Sequence, residues 1–220
     1  MNLMSETQEK MNSLPTNSVI KRKDWFTYSI VGINILFYIY NLFVNGTDAI
    51  KGLSQQQMVN VGAMYEDSPF ITLILSMFAH YSLAHLFTNM LILILLSSIV
   101  LDNFSMTAYV VAYLGGGLIS NMATKLFDPA LTSLGASGAV WSIMGMLLIG
   151  TIASTSDRFF PRLAKNDLIL MIFILIGANI FFTLYNEHLN NTSHFIGLVF
   201  GGIVTLVYMA RHRKDHLNAR

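Results

Sequence analysis

The sequence predicts an all-α membrane protein: a bundle of six transmembrane helices with both termini cytoplasmic. Three observations carry this. Of the 220 residues, 54% are hydrophobic and only 11% charged, against about 25% charged in ordinary soluble domains. The charges crowd between charge-free windows, each of roughly 20 residues, the helical length that crosses a hydrocarbon core. Lysine and arginine also favour one side. Lys10, Lys21, Arg22 and Lys23 precede the first span, Arg158, Arg162 and Lys165 follow the fourth, and Arg211, Arg213, Lys214 and Arg220 follow the sixth. The intervening loops hold only Lys51 and Lys125, so the bias places both ends of the chain inside. A net charge of +1 offers no basic surface for nucleic acid, and the absence of cysteine excludes disulfides, thiolate nucleophiles and Cys-ligated metals.

In order, residues 1–24 read as a flexible cytoplasmic arm ending in the basic cluster Lys21-Arg22-Lys23. Residues 25–210 hold the six spans. The first covers 26–44 and reads as a retained span rather than a cleaved signal. A long mixed loop follows, in which 70–79 is apolar but too short to cross and is placed in the interface. The second span covers 82–101 and the third 106–123, with Gly115, Gly116 and Gly117 inside it. A loop over 124–134 leads to the fourth span, 137–154. After a basic loop come the fifth, 168–184, a polar link over 186–192, and the sixth, 193–210. Residues 211–220 form a basic cytoplasmic tail. The lack of cysteine and of a transit-peptide pattern fits a bacterial plasma membrane.

Polar groups at membrane depth are costly and mark candidate functional positions. His85 and Asn89 lie on the second span, Ser137 on the fourth and His194 on the sixth. His85 stands 17 residues before Asp102, His194 17 before Arg211, and Ser137 17 before Ser154. At 1.5 Å per residue all three sit roughly 25–30 Å above the cytoplasmic boundary. Asn89 is one turn deeper than His85 on the same face. Singly, each has a plain reading: a membrane serine bonds its own backbone, an asparagine ties helices together, and His80 is interfacial. The shared depth weighs against those readings. Glycines supply the means of approach, since Gly138, Ser142 and Gly145 recur at spacings of four and three, and Gly197 and Gly201 follow His194 at three and seven, with Thr205 continuing the row. Two such small-residue faces let helices close up.

Gly135-Ala136-Ser137-Gly138, the run from His80-Tyr81-Ser82 to Thr88-Asn89, His194 with Gly197 and Gly201, and Tyr113-Leu114-Gly115-Gly116-Gly117 together resemble the rhomboid family of intramembrane serine proteases, in its six-helix bacterial arrangement. The resemblance covers about residues 70–205. It implies a Ser-His dyad in which Ser137 is the nucleophile and His194 the general base, with the oxyanion held by the Ser137 N–H and the side chains of His85 and Asn89. The position of Ser137 at a helix start agrees, because unpaired amides and the helix dipole favour developing negative charge there. No carboxylate lies near His194 on the spans, so its imidazole is oriented by packing, with Trp141 one turn after Ser137 placed to stack on it. Gly135 frees the helix entry, and Gly138 and Gly145 admit the sixth helix.

The implied substrates are transmembrane segments of other membrane proteins, met within the lipid bilayer and cut near the outer face, with no cofactor and no metal. The fifth helix, with Gly177 and Asn179, is the wall through which substrate would enter. Two family features differ. Ile71 and Thr72 stand where a Trp-Arg pair is usual, and Ser97, Ser98 and Leu101, then Asp102, replace a glycine and glutamate at the cytoplasmic end of the second helix. Both look like supports for the fold rather than chemistry. The competing readings are a catalytically inactive relative that binds membrane clients, and a metal- or haem-binding protein with His85 and His194 as facing ligands.

Overall fold

The computed structural model describes residues 24–154 and 190–218, together with 166, 170, 171, 173–175 and 177. The arm expected over 1–24 lies outside these residues apart from Asp24, as do most of the fifth span and Asn179 in it. Among the described residues the secondary structure is helical, with one isolated antiparallel bridge between Met64 and Ser133.

Helix α1 runs Trp25–Asn45 and stops at Gly46, whose φ of 57° is left-handed. At 21 residues it is about 31 Å long, enough to cross a hydrocarbon core. Three short helices follow in the loop: α2 (Asp48–Lys51), α3 (Gln55–Asn60) and α4 (Thr72–Leu75). Helix α5 (Leu83–Asn103) is capped by Ser82, whose hydroxyl accepts from the His85 N–H at 3.2 Å. The third span is one helical run in three pieces: α6 (Met106–Val110), a π-helical turn (Val111–Gly115) and α7 (Gly116–Phe127). It continues a full turn beyond the end expected at 123. Helix α8 is Ser137–Ser154 and α9 is Asn191–Asn218, so the last helix runs on into the segment expected as a tail.

Helices α1 and α5 and the Asn191–His212 part of α9 are long and apolar enough to cross a membrane, while Ser137–Ala153 is apolar but shorter. The protein is a multi-pass membrane protein. Its outer faces carry Leu36 and Phe43 on α1, Phe87 on α5 and Phe195 and Leu206 on α9, all exposed. Such a surface is stable only where the surrounding solvent is itself apolar. Helix α8 has the opposite character. From Gly138 to Leu147 every residue is buried, so α8 is the central post, and α9, α7, α5 and the π turn pack around it.

The loop between α1 and α5 folds over the end of the bundle at which α8 starts, held by side chains that reach main-chain carbonyls. Asn41 Nδ2 donates to His80 O at 2.8 Å, and Tyr38 Oη to Ala49 O at 2.7 Å. Asn121 Nδ2 donates to Leu73 O at 2.8 Å. Lys125 Nζ donates to three carbonyls, those of Tyr65 (3.0 Å), Glu66 (2.8 Å) and Ser68 (2.9 Å). Ile71, in place of the family's tryptophan, is exposed, and Thr72 is buried. Within 70–79 the chain splits between environments, with Phe70, Ile71 and Ile74 outward and Leu73 and Met77 buried.

Candidate active site

Ser137 is the first residue of α8 and half-buried. The chain reaches it through Gly135, whose φ of 127° is open to glycine alone among ordinary residues. A second reason for glycine is space: a Cβ there would sit 2.5 Å from His85 Cε1. The Gly135 N–H donates to Ser76 O at 2.7 Å, which pins the entry to the covering loop. The first turn closes with the Val140 N–H donating to Ala136 O at 3.0 Å. The amides of Ser137, Gly138 and Ala139 thus precede that bond and form the positive end of the helix dipole.

His85, in the first turn of α5, is buried beside that entry. Its ring centroid lies 4.9 Å from that of His80 and 4.7 Å from that of Tyr81. Asn89 is buried one turn deeper and donates through Nδ2 to His85 O at 3.1 Å. A primary amide carries two N–H donors, so the second remains for another acceptor. His80, expected at the interface, is only 1% exposed. Its ring lies against that of His85, and its carbonyl accepts from Asn41 of α1.

His194 lies on α9 and is buried. Its ring stacks on Trp141 of α8 with centroids 5.0 Å apart and planes 17° from parallel. Ser137 and Trp141 share one face of α8, a turn apart, so the stack puts the imidazole beside the serine's own helix face. No hydrogen bond joins Ser137 to His194 in this structure.

Glycines set the distance between α8 and α9. A Cβ on Gly197 would strike Gly138 O, one on Gly201 would strike Ser142 O, and one on Gly145 would strike Leu198 O. Each glycine therefore lets one backbone rest on the carbonyls of the other. Gly138 is also closed in by Ser193 and Ser120 side chains, and Thr205 Oγ1 donates to Met146 O at 3.1 Å further down the same seam. On α7, Gly116 faces Ser142 and Gly117 faces Met77.

With serine, two histidines, an asparagine and a glycine-lined seam at one end of a helical membrane bundle, comparison with known proteins is decisive. A model of the Rhomboid domain matches residues 67–211. The chain belongs to the rhomboid family. It is similar to the RHOMBOID-like protein 1 of Arabidopsis thaliana, with 26% identity over 141 residues, 64% of this chain and 35% of that protein. It is also similar to the mitochondrial Presenilin-associated rhomboid-like protein A of Danio rerio, 33% identical over 114 residues, 44% of this chain and 30% of that one. The human Presenilin-associated rhomboid-like protein, also mitochondrial, is 29% identical over 140 residues, 59% and 35% of the two chains. The chain spans about a third of the length of these curated relatives. The rhomboid family includes intramembrane serine proteases as well as inactive members. These relatives come from a plant and from animals, two of them mitochondrial, and give no support to the bacterial plasma membrane expected from composition.

One residue at the site escaped the sequence reading. Asn190 precedes α9, is buried, and accepts the Ser193 N–H on Oδ1 at 2.9 Å. An asparagine just ahead of an apolar run is a helix-start signal, but the polar first turn Asn191-Thr192-Ser193 hides it when spans are drawn by hydropathy.

Proposed function

We propose that this rhomboid protein is an intramembrane serine endopeptidase that cuts transmembrane segments near the outer face of the bilayer. The observation that carries the reading is the stack of His194 on Trp141, which sets an imidazole beside the helix face headed by Ser137. Family membership adds the precedent for that pair as a dyad. Six spans with both termini cytoplasmic complete the proposal, and the charge bias of the loops supports it.

In this reading the Ser137 hydroxyl gives its proton to His194 as Oγ attacks the scissile carbonyl. The resulting oxyanion takes hydrogen bonds from the Ser137 N–H, from the His85 ring and from the second N–H of Asn89 Nδ2. His194 then returns the proton to the leaving amine, the C–N bond breaks, and an acyl-serine remains. Water entering from the outer face, deprotonated by His194, attacks the ester and frees Ser137. A scissile amide inside a helix is already hydrogen-bonded, so substrates whose spans unwind easily are favoured. Orientation of the imidazole comes from the indole rather than from a carboxylate, and its buried Nδ1 has no hydrogen-bond partner among the described residues.

The test is cleavage of a model transmembrane substrate by the reconstituted protein, with products mapped by mass spectrometry. Ser137→Ala is expected to abolish cleavage while leaving the thermal unfolding profile intact. Unchanged cleavage would overturn the assignment.

A further inference from the structure

Asn190 joins the two halves of the site through its side-chain amide and caps α9 with that amide and its main-chain carbonyl. Its Oδ1 accepts the Ser193 N–H at 2.9 Å, which fixes which way the amide faces. Nδ2 then donates to Thr124 Oγ1 on α7 at 2.9 Å and to Ser133 Oγ at 2.8 Å. Its main-chain carbonyl accepts the His194 N–H at 3.2 Å. Asn190 stands four residues before His194, and Ser133 four before Ser137. Ser133 is itself held on both main-chain sides by Met64, N to O and O to N, each at 2.8 Å. Next to it, Thr192 on α9 bonds Asp128 of the same loop. The start of α9 is therefore fastened to the strap that delivers Ser137, and beside it the Asn190–Thr124 bond is buried.

We propose that Asn190 is the positioning residue of the dyad, fixing the height of His194 against Ser137 by capping α9 and tying its first turn to Thr124 and Ser133. The proposal rests on the dyad reading above. Packing on Trp141 sets the tilt of the imidazole, but a flat stack lets two rings slide along each other. The glycine seam allows the same slide along the helix axis. A bond network at the helix start removes that freedom, and near-attack geometry tolerates errors of only about 1 Å.

Removing the partner hydroxyls separates tying from capping. In a Thr124→Val/Ser133→Ala variant Asn190 still accepts the Ser193 N–H, but its Nδ2 has neither hydroxyl to donate to. In the full-length protein in liposomes, Asn190→Ala and Thr124→Val/Ser133→Ala are both expected to lower kcat for a model transmembrane substrate by about 10- to 100-fold, with KM within about twofold of wild type. A second readout needs no substrate. A protonated imidazole stacked on indole quenches its emission, so in a Trp25→Phe background acid quenching of Trp141 reports the stack. Its amplitude should shrink in both variants and vanish in His194→Ala. Wild-type kcat in Thr124→Val/Ser133→Ala would reduce Asn190 to a helix cap and overturn the proposal, as would unchanged kcat and quenching in Asn190→Ala. Ser137→Ala runs alongside. Retained cleavage there overturns the dyad reading and this proposal with it, whereas abolished cleavage there beside normal Asn190→Ala and Thr124→Val/Ser133→Ala variants overturns this proposal alone.

Discussion

Between α8 and α9 the backbones touch, because Gly145, Gly197 and Gly201 have no side chain to hold them apart. The loop from α1 to α5 is held in the other way, by Asn41, Asn121 and Lys125 reaching across to main-chain carbonyls. The first kind of contact has no slack, since any added atom meets a carbonyl that cannot move without its helix. The second has several independent ties, each of which can be lost alone. A seam of the first kind suits the meeting of a nucleophile and its base, where a shift of about 1 Å is costly. A covering loop needs only to stay in place, and different residues can do that work. Lys125 and its neighbours hold it here although Ile71 and Thr72 stand where the family usually has Trp and Arg.

Single substitutions can break this contrast. Gly201→Ala should have the largest effect, because the new methyl lands on Ser142 O and forces α8 and α9 apart. Overpacking of this kind costs about 1–3 kcal/mol, and thermal unfolding in detergent should fall accordingly, with cleavage lost as well. Lys125→Met comes next. It removes the ammonium from three carbonyls while keeping the side-chain length, and a loss of about 2 kcal/mol is expected from hydrogen bonds to a charged group. Cleavage should persist at reduced stability. If Lys125→Met instead matched Gly201→Ala in abolishing cleavage, the loop would be part of the site's geometry and the contrast would fail. Gly32→Ala is the smallest. Nothing lies within 4 Å of a Cβ at Gly32 in α1, so helix propensity should raise stability by about 0.5–1 kcal/mol, with no change in cleavage.

The same contrast separates what the sequence revealed from what it hid. Helix α8 is legible at both ends, since Ser137 and Ser154 bracket a run free of charge and interrupted only by Ser142 and Thr151 among polar residues. The glycine stripes were legible because small residues at helical spacing on two segments have few other uses in a membrane bundle. The loop was opaque. Its ties join residues dozens of positions apart, as Lys125 to Tyr65, and depend on a fold-back that no local pattern encodes. The burial of His80 is equally hard to read, since its carbonyl is held by Asn41, 39 residues away. Hydropathy drops at Lys125, yet α7 runs on to Phe127 with the lysine in its last turn, where a cation suits the helix dipole. A hydropathy window registers the polar first turn of α9 as loop, which conceals Asn190 as its cap.

In the proposed chemistry Ser137 is a nucleophile activated by His194. A serine-directed fluorophosphonate, followed by peptide mapping, tests it without any knowledge of the physiological substrate. A phosphonyl adduct is expected on Ser137 in the folded protein and none in His194→Ala. An unlabelled Ser137 in protein with an intact unfolding profile, or equal labelling in His194→Ala, would contradict it.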